Sequence, residues 1–315
     1  MNSTLLADNS EASLKKFLNT LSAVDEVGAK ARVEMLGTRS IKTSSKNWAI
    51  DLAIQMVDLT TLEGADTPGK VRALCAKGVY PDPTDLTVPS VGAICVYNDM
   101  VKIARQALDA GGGKNIPVAA VSTAFPSGRA SIEVKIQDTR DAIANGATEI
   151  DMVIDRGAFL AGKLGYVFDQ IRTIKEVCGS NIHLKVILET GELVTLDNVR
   201  KASYLAMLAG ADFIKTSTGK VAPAATAPVV YVMLEAVRDY YKMTGTRIGV
   251  KPAGGIRNTK DAIKQLVLVN EIAGPVWLDP SLFRIGASAL LNDLLMQRMK
   301  MRDGYYASPN YVTLD

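Results

Sequence analysis

The sequence predicts an α/β chain folded as a single eight-stranded parallel (β/α)8 TIM barrel with an N-terminal helical extension, and three observations carry that prediction. From Trp48 onward, eight short runs rich in Val and Ile alternate with longer segments of helical periodicity, the pattern of βα units around a parallel sheet. The joints repeat, in Ala-Asn-Gly146-Ala-Thr-Glu-Ile and Leu-Ala-Gly210-Ala-Asp-Phe-Ile, with a weaker copy at Leu-Asp-Ala-Gly111. Glycine there suits a left-handed helix cap before the next strand. At 315 residues the chain accommodates one barrel of about 250 residues with segments to spare at both ends.

In chain order, residues 1–48 are polar and carry a helical pattern from 11 to 35, with Leu14, Phe17, Leu21 and Val24 at helical spacing. This extension would cover the bottom of a barrel or mediate association. The barrel is expected over 49–302. Its strands fall at 56–59, 92–97, 117–122, 149–154, 184–189, 213–216, 249–251 and 283–286, with long helices at 132–145, 196–209 and 259–270 among those between them. Three prolines within 81–90 mark an ordered-to-mobile loop before the second strand. The tail, 303–315, is polar and holds Tyr305, Tyr306 and Tyr311.

Composition narrows the chemistry. A net charge of +3 with scattered basic residues and 6% aromatics argues against nucleic acid as a partner. No apolar run reaches the ~18 residues of a membrane span, and residues 1–10 lack a secretory pattern. Cys75, Cys95 and Cys178 have no framework spacing, which suits a reducing compartment, and a cytoplasmic location follows by default. His183 is the single histidine, so Ser-His-Asp or Cys-His catalysis has one candidate, at a strand end, and a zinc site has no ligand set at proper spacing. Acid and base work therefore falls to Lys, Asp, Glu or Tyr.

Lys215 is the misfit that starts the functional argument, since it stands inside the strand pattern Asp-Phe-Ile-Lys-Thr and must meet a packed layer on either face. Burying an ammonium costs free energy unless it is paired or loses its proton, and a neutral amine is a nucleophile. Active sites of such barrels lie at the C-terminal strand ends. Asp58 stands there on the first strand, Asp151 and Asp155 on the fourth, and Lys251 on the seventh. Alternation turns Glu149, Asp151 and Asp155 inward, opposite Ile150, Met152 and Ile154, and separates Lys185 and Glu189 from Leu184, Val186 and Leu188. A lysine pair, Lys215 and Lys251, would lower one amine from the usual ~10.4 toward ~7 to 8 by like-charge repulsion. An anion site is expected where Gly254, Gly255 and Arg257 follow the seventh strand and Gly286 and Ser288 follow the eighth, with Gly219 and Lys220 as further donors. Neither Gly219-Lys220 nor Gly113-Lys114 sits in a Walker loop.

These residues resemble the deoxyribose-phosphate aldolase family. The likeness rests on Asp-Phe-Ile-Lys-Thr-Ser-Thr-Gly-Lys at 212–220, Val-Lys-Pro-Ala-Gly-Gly-Ile-Arg at 250–257, Glu-Ile-Asp-Met-Val at 149–153, Lys-Val-Ile-Leu-Glu-Thr at 185–190 and Arg-Ile-Gly-Ala-Ser at 284–288. It covers roughly 51–298, and the first 48 residues resemble the family's longer members. The resemblance implies reversible cleavage of 2-deoxy-D-ribose 5-phosphate to D-glyceraldehyde 3-phosphate and acetaldehyde, a step of deoxyribonucleoside catabolism, without metal or organic cofactor. It makes Lys215 the Schiff-base lysine, Lys251 its tuner and proton donor, and Asp151 the proton relay. Asp58 and Lys185 become polar active-site groups, and Gly219, Lys220, Gly254, Gly255, Arg257, Gly286 and Ser288 the phosphate site. Two departures stand out: Ala289 replaces a second serine of some members, and the tail runs past the tyrosines to Asp315. The partner implied is a small sugar phosphate, and a homo-oligomer is left open.

Overall fold

The computed structural model describes residues 5–306, 308 and 312. Its elements are α1 (Glu11–Leu18), α2 (Glu26–Gly37), α3 (Thr43–Met56), β1 (Val57–Thr60), α4 (Pro68–Val79), β2 (Ala93–Tyr97), α5 (Val101–Ala110), β3 (Val118–Ser122), α6 (Ile132–Ala144) and β4 (Glu149–Val153). There follow α7 (Arg156–Leu160), α8 (Leu164–Cys178), β5 (His183–Ile187), α9 (Leu196–Leu208), β6 (Phe213–Lys215), α10 (Ala227–Thr244), β7 (Gly249–Lys251), α11 (Thr259–Leu268), β8 (Ile285–Ala287) and α12 (Leu290–Asp303). The strands run in the order β7-β6-β5-β4-β3-β2-β1-β8, each pair parallel, and parallel bridges from Val250 to Phe283 and from Ala253 to Gly286 close the ring. All eight expected strands are present, with ends displaced by up to two residues.

Local chemistry sets these elements. Ser10, Asp25, Thr67, Ser131, Thr195 and Asn258 each accept a backbone N–H at a helix start, satisfying a donor the helix itself cannot. At the repeated joints Gly146 and Gly210 take φ of +104° and +100°. The weaker joint differs: Gly111 keeps a negative φ and Gly112, at +85°, makes the left-handed step.

Strand alternation sorts the interior. Ile150, Met152, Leu184, Val186 and Ile214 face outward into the apolar layer under the helices. Inside the ring, β2 and β3 contribute the small apolar patch of Cys95, Ala119 and Val121. β1, β4, β5, β6 and β7 present charged side chains, and Arg284 adds one just before β8. Asp155 departs from the alternation, because β4 has ended and its side chain instead caps α7 by accepting from Ala158.

The helical pattern expected over 11–35 is divided between α1 and α2, and the stretch between them is tied to the barrel. Val24 N donates to Asp197 at 2.6 Å and Arg200 donates to the Ser22 carbonyl at 2.9 Å. α1 packs on α8 and α9, α2 on α10 and α11, so both lie on the helical flank, while α3 runs through position 48 straight into β1. The proline-bearing loop is pinned rather than free: Arg298 of α12 reaches Asp85 at 2.5 Å and Asp51 at 2.8 Å. No helix among the described residues is long and apolar enough to cross a membrane.

Candidate active site

β6 and β7 bring Lys215 and Lys251 side by side in register, and β4 and β5 do the same for Asp151 and Lys185. Inside the barrel these meet Asp58, Glu149 and Arg284, and six of the seven charges form a closed ring of alternating sign. Arg284 Nη1 lies 2.6 Å from Asp58 Oδ1, and Asp58 Oδ2 lies 2.5 Å from Lys251 Nζ. Lys251 donates to Asp151 Oδ2 at 2.8 Å, and Asp151 Oδ1 lies 3.3 Å from Lys185. Lys185 bonds Glu149 Oε2, and Glu149 Oε1 returns to Arg284 Nη2 at 3.3 Å. The Asp58 Oδ2 and Asp151 Oδ1 contacts are charge contacts without hydrogen-bond geometry.

Lys215 hangs from this ring by one bond, donating to Asp151 Oδ2 at 2.7 Å. The ring is neutral, three cations against three carboxylates, so Lys215 is the charge in excess. Burial alone would raise the carboxyl pKa values, but the neighbouring cations prevail and hold Asp58 and Glu149 below, and Asp151 well below, the usual range. Burial would likewise lower Lys251, yet Asp151 and Asp58 outweigh it and keep its ammonium well above an ordinary lysine. The expected bare repulsion between two lysines is thus replaced by a shared carboxylate: Asp151 stands between them because β4 faces β6 and β7 across the barrel.

Above Lys215 opens a cavity of about 400 Å³. Of the seven charged groups only Lys215 lines it, and Asp58, Lys185, Asp151 and Lys251 lie outside its wall, in the buried layer. The rest of the wall holds all seven residues expected around an anion: Gly219, Lys220, Gly254, Gly255, Arg257, Gly286 and Ser288. Gly254 and Gly255 both take left-handed φ, +81° and +87°, and a side chain on Gly254 would come within 2.7 Å of Ala224 Cβ. α12 starts just beyond Ser288 with no side-chain cap on Ala289, so its first N–H groups and positive end face the same cavity. Lys220 is paired at the rim with Glu63 at 2.9 Å, and Arg257 is exposed without an ion-pair partner among the described residues.

Two supports have no role in the sequence reading, although alternation puts Glu189 on the Lys185 face and Arg284 opens the 284–288 motif. Arg284 stands just before β8, and alternation along Arg284, Gly286 and Ser288 is the signal that could have placed it inward. Glu189, buried and left-handed with φ +52°, accepts from Thr218 N and from Thr218 Oγ1 at 2.5 Å, tying the end of β5 to the loop that carries Gly219. Burial raises its pKa, and the Thr218 bonds oppose this. Burial also pushes the Cys95 thiol up, in the apolar patch. His183 lies at the opposite, N-terminal end of the barrel, exposed, 3.9 Å from Glu149. Tyr305 and Tyr306 are exposed and away from the cavity, Tyr306 under Lys300 and bonded by Gln297; Tyr311 lies outside the described residues.

Residues 52–295 match a family model described as DeoC/LacD family aldolase. The deoxyribose-phosphate aldolase of Homo sapiens is 46% identical over 288 residues, covering 88% of this chain and 89% of that protein. Its Mus musculus namesake is 45% identical over 278 residues, covering 86% and 87%. Among solved structures, an aldolase called QR15 superposes with TM-score 0.61 at 28% identity, over 78% of this chain and 97% of that one. The tetrameric deoxyribose phosphate aldolase of Aeropyrum pernix superposes with TM-score 0.63 over 84% and 97%, at 24% identity a likeness of fold. With a family match over most of the chain and relatives so close, an amine beneath a glycine-walled cavity has its family context, and the chain belongs to the DeoC/LacD family of aldolases.

Proposed function

We propose that the chain cleaves 2-deoxy-D-ribose 5-phosphate reversibly to D-glyceraldehyde 3-phosphate and acetaldehyde, with Lys215 as the imine-forming amine. The observation that carries this reading is that Lys215 alone of the buried charged layer opens into a cavity walled by anion-binding backbone. The curated relatives named for that activity supply the substrate.

The geometry assigns a part to each group. Deprotonating Lys215 breaks one ion pair, whereas Lys251 would lose two and Lys185 three. As the free amine, Lys215 Nζ attacks C1 of the open-chain sugar, and Asp151, set between Lys215 and the Lys251 ammonium, passes protons as carbinolamine loses water to give the iminium. Lys251 resupplies Asp151. Asp151, through water, then takes the C3 hydroxyl proton and C2–C3 breaks: the iminium takes the electron pair, glyceraldehyde 3-phosphate leaves, and an enamine remains. Protonation at C2 and hydrolysis release acetaldehyde and return Lys215. The iminium nitrogen is the electron sink, so these steps call for neither metal nor organic cofactor.

The phosphate rests against Gly254, Gly255, Gly286 and Ser288 and the start of α12, with Gly219, Lys220 and Arg257 at the rim. Residues 49–302 are taken as the barrel unit, 1–48 as the extension and 303–315 as the tail. The tetrameric relative supports a homo-oligomer, and three free buried cysteines support a cytoplasmic setting.

The test is borohydride reduction with acetaldehyde followed by peptide mapping. An ethyl group on Lys215 is the expected product. Label elsewhere, or none where a control aldolase is trapped, refutes the reading.

A further inference from the structure

We propose that Arg284 is a positioning residue: by closing the charged ring it balances the three carboxylates of the ring and leaves Lys215 as the one uncompensated cation of that buried layer. This rests on Lys215 being the imine-forming amine. Arg284 touches neither the cavity nor Lys215. Its guanidinium binds Asp58 through Nη1 and Glu149 through Nη2, while Nε donates to the Pro280 carbonyl. Both its carboxylates are thereby directed onward, Asp58 to Lys251 and Glu149 to Lys185, and each of those lysines ends on Asp151. Asp151 arrives at Lys215 with Lys185 and Lys251 already on it.

Guanidinium suits this role for two reasons. It presents a fork that spans two carboxylates, and it does not lose its proton, so the third positive charge of the ring cannot be released in place of that on Lys215. Among the described residues nothing else near Lys215 restores the balance: buried Glu189 is held by Thr218 and faces Arg156 at 3.9 Å, and His183 stands at the far end of the barrel beside Glu149. Cys95 on β2 is a buried thiol kept neutral by burial, and in the cavity wall Lys70 and Lys220 are engaged with Asp66 and Glu63. Arg257 adds positive charge at the rim. Protonated, Lys215 leaves one excess charge in a water-poor layer; deprotonated, it leaves none.

Opposite substitutions in the ring therefore act with opposite sign. Arg284→Gln removes a positive charge, so the layer is already balanced with Lys215 protonated, and the pH profile of imine trapping moves up by about one unit. Glu149→Gln removes a negative charge and moves the profile down by a similar amount. The double variant returns close to wild type, and Arg284→Lys, which keeps the positive charge, shows little of the shift of Arg284→Gln.

The experiment is borohydride trapping of acetaldehyde on Lys215 between pH 5 and 10, with folding followed by circular dichroism. Opposed shifts of the two single variants support the proposal. A fall in trapping at every pH with an unmoved midpoint, or shifts of the same sign, overturns it as a purely structural effect. If Arg284→Gln does not fold, a downward shift in Glu149→Gln that is reversed in the double variant supports the proposal, and an unmoved or upward midpoint in Glu149→Gln overturns it. Failure of wild type to label Lys215 would sink the imine reading instead, a separate result.

Discussion

Lys215 and Lys251 stand opposite each other in the β6–β7 register and donate to the same oxygen, Asp151 Oδ2, at 2.7 and 2.8 Å. Lys251 also lies 2.5 Å from Asp58, so its charge is held by two carboxylates while that of Lys215 is held by one. Lys251 is therefore the more firmly held ammonium, and Lys215 the one with a single pair to break.

Lys251→Leu tests that division. The substitution leaves Asp58 and Asp151 buried without a shared cation, a change that costs about 3–5 kcal/mol of stability. The barrel is expected to fold with a lower melting temperature. Turnover falls by about 10²-fold or more, since a proton donor to the carbinolamine is gone. A variant retaining the wild-type rate at neutral pH contradicts the assigned role.

The ring also fixes a pH window for stability. Asp58 and Asp151 have folded pKa values below their unfolded value of about 3.9, so their contribution is present above that pH and is lost as pH falls through the depressed values. Lys251 is raised above about 10.4, so its contribution is present below that pH and is lost only as pH climbs through the higher folded value. Melting temperature should be level between these limits and drop on the acid side. Asp58→Asn should melt lower at pH 7 but lose less on going to pH 3, and an unchanged acid slope would show that the ring is not its source.

Ser288 offers a separate handle on phosphate. Glu placed at the start of α12 would set a carboxylate where the helix end and the Gly254–Gly255 turn favour an anion. Ser288→Glu should raise KM for 2-deoxyribose 5-phosphate about tenfold or more and leave free 2-deoxyribose little affected. Equal changes for both sugars argue that phosphate sits elsewhere.

How much of this was legible in the sequence depended on periodicity. The eight strands, the inward Glu149 and Asp151 and the glycine-walled cavity followed from alternation and from the rule that barrels work at their C-terminal rim. The ring was not legible, because pairing across a barrel joins strands far apart in sequence: Arg284 and Asp58 are separated by 226 positions. Spacing placed Lys251 near Lys215 but could not show the carboxylate between them, which changes repulsion into shared pairing. Alternation also failed at Asp155, where the chain had already turned into a helix cap.

Glu189 and Thr218 carry the last prediction, about the loop rather than the amine. Glu189 takes a left-handed backbone at the end of β5, and its buried carboxylate accepts from Thr218 N at 3.3 Å and Thr218 Oγ1 at 2.5 Å, with Arg156 behind it at 3.9 Å. Thr218 Oγ1 in turn accepts from Lys220 N at 3.1 Å, so one hydroxyl orders both the approach to Gly219 and the backbone beyond it. Thr218→Val keeps the shape and the backbone donor but removes the hydroxyl, leaving Glu189 and Lys220 N each short of a partner. The stability cost is about 1–3 kcal/mol. Because Lys215 precedes the loop and keeps its bond to Asp151, the loss should fall on phosphate binding: KM for the phosphorylated sugar rises about fivefold to tenfold while ethyl labelling of Lys215 by acetaldehyde and borohydride persists. Slower labelling and lower kcat together with an unchanged KM would mean that Thr218 supports the amine and not the phosphate loop.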